Sequence, residues 1–140
     1  MPSTVTLTDA QRRFLEAPQR FGTLATINPD GSPHQTVVWF LIRGDTIAIN
    51  SLMGRHWPSN LLRDPRTSLA VEAGLDYMVL RGTVEPVHDP IQAQGDIAEM
   101  ARRYETPEDA ERLIRDRFSP QERISFTLRP RSVTEHFEAG

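Results

Sequence analysis

The chain reads as an α+β domain built round an antiparallel sheet, and three observations carry that reading. Two β-type runs meet at the turn cluster Asn28-Pro29-Asp30-Gly31, with a third run close behind. Beyond His88 the apolar residues change from strand-like to helical spacing. Residues 123–137 then return to strand character. Hairpins first, helices next and closing strands last make an α+β order, distinct from the strict alternation of a parallel sheet.

Taken in order, Thr8 and Gln11 have capping-box spacing, and Phe14 and Leu15 lend an apolar edge to a short helix that ends near Pro18. Phe21–Ile27 is rich in β-branched and aromatic residues, and Asn28–Ser32 is a turn. His34–Ile42 is expected as one strand, apolar on both faces through Val37, Val38, Trp39, Phe40, Leu41 and Ile42. Such a strand suits a barrel wall covered from outside by a helix or a partner subunit. Arg43-Gly44-Asp45 turns the chain and Thr46–Ser51 returns it. Leu52–Pro58 is expected as loop and Ser59–Arg63 as a short helix, stopped at Asp64-Pro65 because the residue before proline disfavours the α region. Thr67–Glu72 and Met78–Val87 are two further strands joined around Ala73-Gly74.

In the helical section Asp89 caps, Pro90 takes the first helical position and Gln92 the capping-box site. Ile97, Met100, Ala101 and Tyr104 then share one face. Thr106-Pro107 opens a second helix, with Ala110, Leu113, Ile114 and Phe118 inside. Arg123–Leu128 and Val133–Phe137 close the chain as two strands interrupted by Pro130.

Composition narrows the chemistry. At 140 residues the chain is expected to form one domain, residues 1–140, able to bury roughly two-thirds of its unfolded surface without a disulfide or metal. It has no cysteine, which excludes disulfides, thiolate nucleophiles and cysteine-held metals. All 16 basic side chains are arginine, so lysine Schiff-base chemistry is excluded too. Any bound phosphate or carboxylate must be held by arginine forks, histidine or backbone amides. No apolar run approaches the roughly 20 residues that cross a bilayer, and the N-terminus lacks the order of a secretory signal. The expectation is a soluble, cytoplasmic protein with no membrane association. A net charge of −3 with interspersed signs argues against a general nucleic-acid binder.

The catalytic inventory is thin. His34, His56, His88 and His136 show no spacing that sets two metal ligands on a helix face, so no metal site is expected. There is no G-x-S-x-G elbow and no glycine-rich phosphate loop. The carboxylates of residues 105–111 suit a solvated helix exterior. Redox chemistry on a bound cofactor survives this elimination, with the protein supplying position and electrostatics.

The ordered set GTLAT…PDGSPH…VWF, INS, GRHWPSNLLRDPRTSLAV and LRGTVEPV covers about three-quarters of the chain. It resembles the pyridoxamine 5'-phosphate oxidase-like split β-barrel proteins, which bind flavin or the deazaflavin coenzyme F420. The resemblance implies an antiparallel six- to seven-stranded split β-barrel with short flanking helices, dimeric, with two cofactor sites at the subunit boundary. The short chain, the D-G-x-P hairpin and the R-x-x-x-x-N-L-x-R-D-P-R pattern look most like the F420-dependent branch.

By that resemblance a flat ring lies against Gln35, Thr36, Val37, Val38 and Trp39 and against Asn50 and Ser51, held largely by backbone groups. Taken singly, Val37, Val38 and Trp39 each suit plain barrel core better than a ligand wall. Arg55 and His56 are the implied phosphate-side groups, with Ser59 and Asn60 as neutral donors. Trp57 stands where the family carries a lysine, and its indole suits either a stacking surface or a plug. Losing one charge-assisted hydrogen bond, about 1.5–3 kcal/mol, would weaken binding by about one to two orders of magnitude unless Arg63, Arg66 or a partner's arginine replaced it.

The implied activity is hydride transfer between reduced F420 and an unsaturated small molecule, with no essential acid–base residue and with His34 or solvent delivering the proton. An FMN oxidoreductase of the same fold is the alternative, and a non-catalytic ligand-binding barrel a third reading. Pyridoxamine-phosphate oxidase activity itself is not expected, because the end TEHFEAG lacks that enzyme's Arg- and His-bearing substrate motif.

Overall fold

The computed structural model describes residues 4–138. An N-terminal arm leads into helix α1 (Asp9–Glu16), where Thr8 and Gln11 form the reciprocal capping box. Strand β1 (Gly22–Ile27) turns at Asn28–Ser32 into β2 (Pro33–Val38), with Gly31 at φ +88° in the turn. Strand β3 (Leu41–Arg43) and strand β4 (Thr46–Leu52) form the second hairpin. Helix α2 (His56–Arg63) is followed by β5 (Arg66–Ala73) and β6 (Asp76–Val87). Helices α3 (Pro90–Tyr104) and α4 (Pro107–Leu113) precede the last strand, β7 (Arg123–His136). Among the described residues no helix is long and apolar enough to cross a membrane.

All seven strands join one antiparallel sheet in the order β2-β1-β5-β6-β7-β4-β3. Its two edge strands, β2 and β3, are separated in sequence only by Trp39 and Phe40. Three residue steps reach about 11 Å, whereas the edges of a flat seven-stranded sheet would lie about 29 Å apart. The sheet must therefore curl, and it forms the split barrel. Leu24, Leu69, Val71, Met78, Leu80, Ile47, Ile49, Phe126 and Leu128 fill the inside, joined by Leu7 and Leu15 at one end and Trp57 and Leu61 at the other. A smaller cluster outside the barrel packs Ile97, Met100, Ala101, Ala110 and Phe118 on Leu41 and Ala48.

The expected strand over 34–42 is thus two strands on opposite edges. Nor is it buried on both faces: Gln35 is exposed and Val37 is 69% exposed. The doubly buried strand is β4, whose Ile47 and Ile49 face the barrel while Ala48 and Asn50 lie under α3. The break is pinned by the end of α3. Arg103 donates to the carbonyls of Phe40, Leu15 and Ala17, and the Tyr104 hydroxyl donates to Arg20 O and accepts from Phe40 N. Burial pushes the Arg103 pKa down, and its guanidinium rests on the Phe40 and Tyr104 rings.

Three further expectations are corrected. Helix α2 begins at His56, three residues before the expected Ser59, since Pro58 sits in the first turn where no helical N–H bond is required. The second predicted helix does not run evenly to Phe118. Residues Ile114–Phe118 widen into a π-type turn, closed by Ser119 N donating to Ile114 O and tied to α3 by Gln94. Pro130 does not divide the last strand. It lies beyond the end of the β4 pairing, opposite Gly82 at a register shift, and its carbonyl accepts from Val5 N.

Candidate functional site

Between edge strand β2 and the end of β4, the seam opens into a cavity of about 580 Å³, within the range of small-molecule and cofactor sites. One wall is apolar: Val38 from the end of β2, Trp39 from the crossover, Ile97 and Met100 from α3, and Phe118 from the π-type turn. Trp39 is fixed by stacking on Tyr104, with centroids 5.1 Å apart and planes 9° from parallel. The other side is polar and cationic, with His34, Asn50, Arg55, His56, Arg117 and Arg123 among its residues.

Nine residues expected from the sequence line this cavity: Thr36, Val37, Val38, Trp39, Asn50, Ser51, Arg55, His56 and Trp57. Three do not. Gln35 and Ser59 are exposed elsewhere, and Asn60 is buried as a clamp between α2 and the first hairpin. Its amide donates to Thr26 Oγ1 and Asn28 Oδ1 and its oxygen accepts from Arg63. Trp57 forms wall rather than plug. Only 6% exposed, it sits in the barrel core with its ring 5.8 Å from that of Phe126.

At the rim, the His34 and His56 rings stack at 4.1 Å with planes 5° apart. His56 Nε2 lies 2.6 Å from Asn28 Oδ1. That oxygen can only accept, so Nε2 carries the hydrogen and the tautomer of a neutral His56 is set.

Arg63 and Arg66 do not supply charge to the cavity. Arg63 donates to Ile27 O and Asn60, and Arg66 forks Asp64, whose carboxyl is held down at about 2 chiefly by those hydrogen bonds. The charge comes instead from Arg123 at the start of β7 and Arg117 in the π-type turn, which join Arg55. None of these three has a carboxylate partner among the described residues. Burial, followed by the charges of Arg55 and Arg117, pushes the Arg123 pKa down to about 10, so it remains a cation at neutral pH. No local motif marks Arg117 or Arg123. Their place follows from the β4–β7 register, which sets Arg123 opposite Leu52, and from the π-type turn.

Asn50 and Ser51 reach the cavity, but both amide hydrogens of Asn50 are already used, toward Ala93 O and Ser125 Oγ. Its oxygen accepts from Arg123 Nε at 2.7 Å. Asn50 therefore orients a cation at the cavity instead of offering its own N–H groups to a ligand. Among the described residues no three His, Asp or Glu side chains converge as metal ligands.

Comparison with known proteins agrees with this architecture. A conserved hypothetical protein from Mycobacterium tuberculosis is 24% identical, with a TM-score of 0.76, over 100% of this chain and 96% of that one. An F420 reductase is 24% identical with a TM-score of 0.69, over 87% of this chain and 94% of that one. A heme binding protein from Mycobacterium smegmatis is 21% identical with a TM-score of 0.66, over 94% of this chain and 55% of that one. Likeness at these identities carries the fold alone. The family model described as pyridoxamine 5'-phosphate oxidase matches residues 7–136, a span that takes in every strand and helix from α1 to β7. On that match, and with the split barrel in place, the chain belongs to the pyridoxamine 5'-phosphate oxidase family.

Proposed function

We propose that this protein is an oxidoreductase that holds a deazaflavin cofactor of the F420 type in the seam cavity and passes a hydride between it and an unsaturated small molecule. One observation carries the reading: a single cavity of about 580 Å³ joins an aromatic and aliphatic wall to three arginines that have no carboxylate partner among the described residues. A flat ring with an anionic tail matches both halves. An F420 reductase among the structural relatives supports the deazaflavin choice. The family match favours a second reading, FMN in the same place.

When bound, a deazaflavin would supply the hydride-transfer chemistry. The chain's own residues do the rest. Trp39, Val38, Ile97 and Met100 exclude water and offer a flat surface, and the backbones of β2 and β4 can bond a ring's polar edge. Arg55, Arg117 and Arg123 hold the anionic tail. His34, stacked on His56 at the rim, or solvent itself would deliver the accompanying proton. We further propose that a second copy of the chain covers the exposed outer side of β2, where Val37 projects, and so completes the site.

The test is titration of the purified protein with F420 and with FMN, followed by fluorescence quenching. Saturable binding of F420 is expected. Binding of FMN alone would select the second reading, and binding of neither at tens of micromolar would leave a ligand-binding barrel without redox function.

A further inference from the structure

The polar residues behind the cavity form a chain whose direction is fixed. Arg123 Nε donates to Asn50 Oδ1, Asn50 Nδ2 donates to Ser125 Oγ at 2.9 Å, and Ser125 Oγ donates to Asp96 Oδ2 at 2.6 Å. Asp96 is 3% exposed, and its other oxygen accepts from Arg43 at 2.7 Å. A carboxylate can only accept, so the Ser125 hydrogen must point at Asp96. The serine oxygen then receives Asn50 Nδ2, whose second hydrogen goes to Ala93 O, and the Asn50 amide cannot flip. Asn50 Oδ1 is thereby aimed at Arg123. Of the five N–H donors of that guanidinium, Asn50 takes one and Gln121 Oε1 takes another. Its remaining three N–H groups have no partner among the described residues, and its plane rests on the Phe118 ring at 5.1 Å.

A fork locked in orientation, with donors unspent and two further cations beside it, is a built oxyanion site. Glu105 also lines the cavity but pairs with none of the three arginines. The position where the family resemblance leads one to expect a lysine is instead Trp57, in the first turn of α2 and packed into the core.

We propose that Arg123, set in place by Asn50, Ser125 and Asp96 and flanked by Arg117 and Arg55, is the residue that grips the phosphate of the ligand in this cavity. The charge that the family resemblance puts at position 57 is then supplied from the start of β7. Arg123 touches the ligand, whereas Asn50, Ser125 and Asp96 act through it as positioning residues. The inference rests on the proposed cofactor reading for the identity of the ligand, but not for the existence of the site.

The experiment compares each ring with and without its phosphate: FMN against riboflavin, and F420 against its deazaflavin core lacking the phosphate-bearing tail. Arg123→Gln is expected to weaken the phosphorylated ligands about ten- to a hundredfold and leave the others unchanged. Arg123→Lys, which keeps the charge but loses the fork, should fall between. Ser125→Ala, with its circular dichroism unaltered, should weaken the same ligands severalfold. Equal losses with and without phosphate, or none, would overturn the proposal. Inorganic pyrophosphate forms an independent arm, read by the Nε–H resonance of Arg123 in the wild-type protein. A saturable shift there without binding of any ring would keep the anion site and remove the cofactor reading. No shift and no phosphate discrimination would remove the site itself.

Discussion

At the scale of single residues, the backbone sets harder limits than the cavity does. A Cβ on Gly82 would lie 2.0 Å from the carbonyl oxygen of Arg129, a group fixed in the β6–β7 ladder. A Cβ on Gly22 would meet a Leu69 methyl at 2.4 Å, the far end of a side chain that can turn aside. Gly82→Ala should therefore cost about 3 kcal/mol in urea unfolding, and Gly22→Ala clearly less. A loss under about 1 kcal/mol for Gly82→Ala would mean that the bulge beside Pro130 yields easily. Trp57 teaches a related lesson. Its identity departs from the family resemblance at a position expected to carry charge, and neighbours brought from far along the chain decide whether charge is lost there. Arg123 lies 66 positions away in sequence and lines the same cavity.

At the scale of elements, local signals placed the starts of α1, α3 and α4 well, but not the uncapped start of α2, and helix ends and continuations less well. Thr8, Asp89 and Thr106 all cap as their spacing implies, because a capping bond spans only two or three residues. Asp89 alone accepts from both Ile91 N and Gln92 N. Asp89→Ala should lower stability by about 1 kcal/mol without changing cofactor affinity, measured by urea unfolding and by titration side by side. A parallel loss of affinity would show that α3 is positioned by its cap and not by Met100 and Ala101 in the outer cluster. The strand break at Trp39-Phe40 had no local mark, since every residue from Val37 to Ile42 favours strand. It exists because Arg103 and Tyr104 draw the crossover onto α3. Pro130 misled in the opposite sense: read locally it ends a strand, yet beyond the β4 pairing a missing N–H costs nothing.

For the whole molecule, the curl of the sheet makes the site. Two edge strands joined by two residues leave a seam, and α3 with the π-type turn covers one side of it. The opposite side carries Val37, 69% exposed beside the cavity it lines. A homodimer would bury that residue and complete the wall. Light scattering at micromolar concentration should accordingly return twice the 15.9 kDa of one chain, and Val37→Asp should shift the mass toward a single copy while weakening cofactor binding. A single-chain mass for the wild-type protein would sink the dimer and leave the cavity open on that side.

By itself, the sequence determined the succession of hairpins, helices and closing strand, the capped helix starts, the turn at Asn28–Ser32 and the α+β class, and the family resemblance pointed to nine of the residues that line the cavity. Each of these depends on neighbours a few positions apart or on an ordered run of motifs. Only the tertiary structure decided which strands form the edges, that β4 and not residues 34–42 is buried on both faces, and that Arg117 and Arg123 supply the cavity's charge. Those outcomes rest on pairings such as Asn50 with Ser125, 75 residues apart, and hydrogen bonds over such separations leave no periodicity in the chain that makes them.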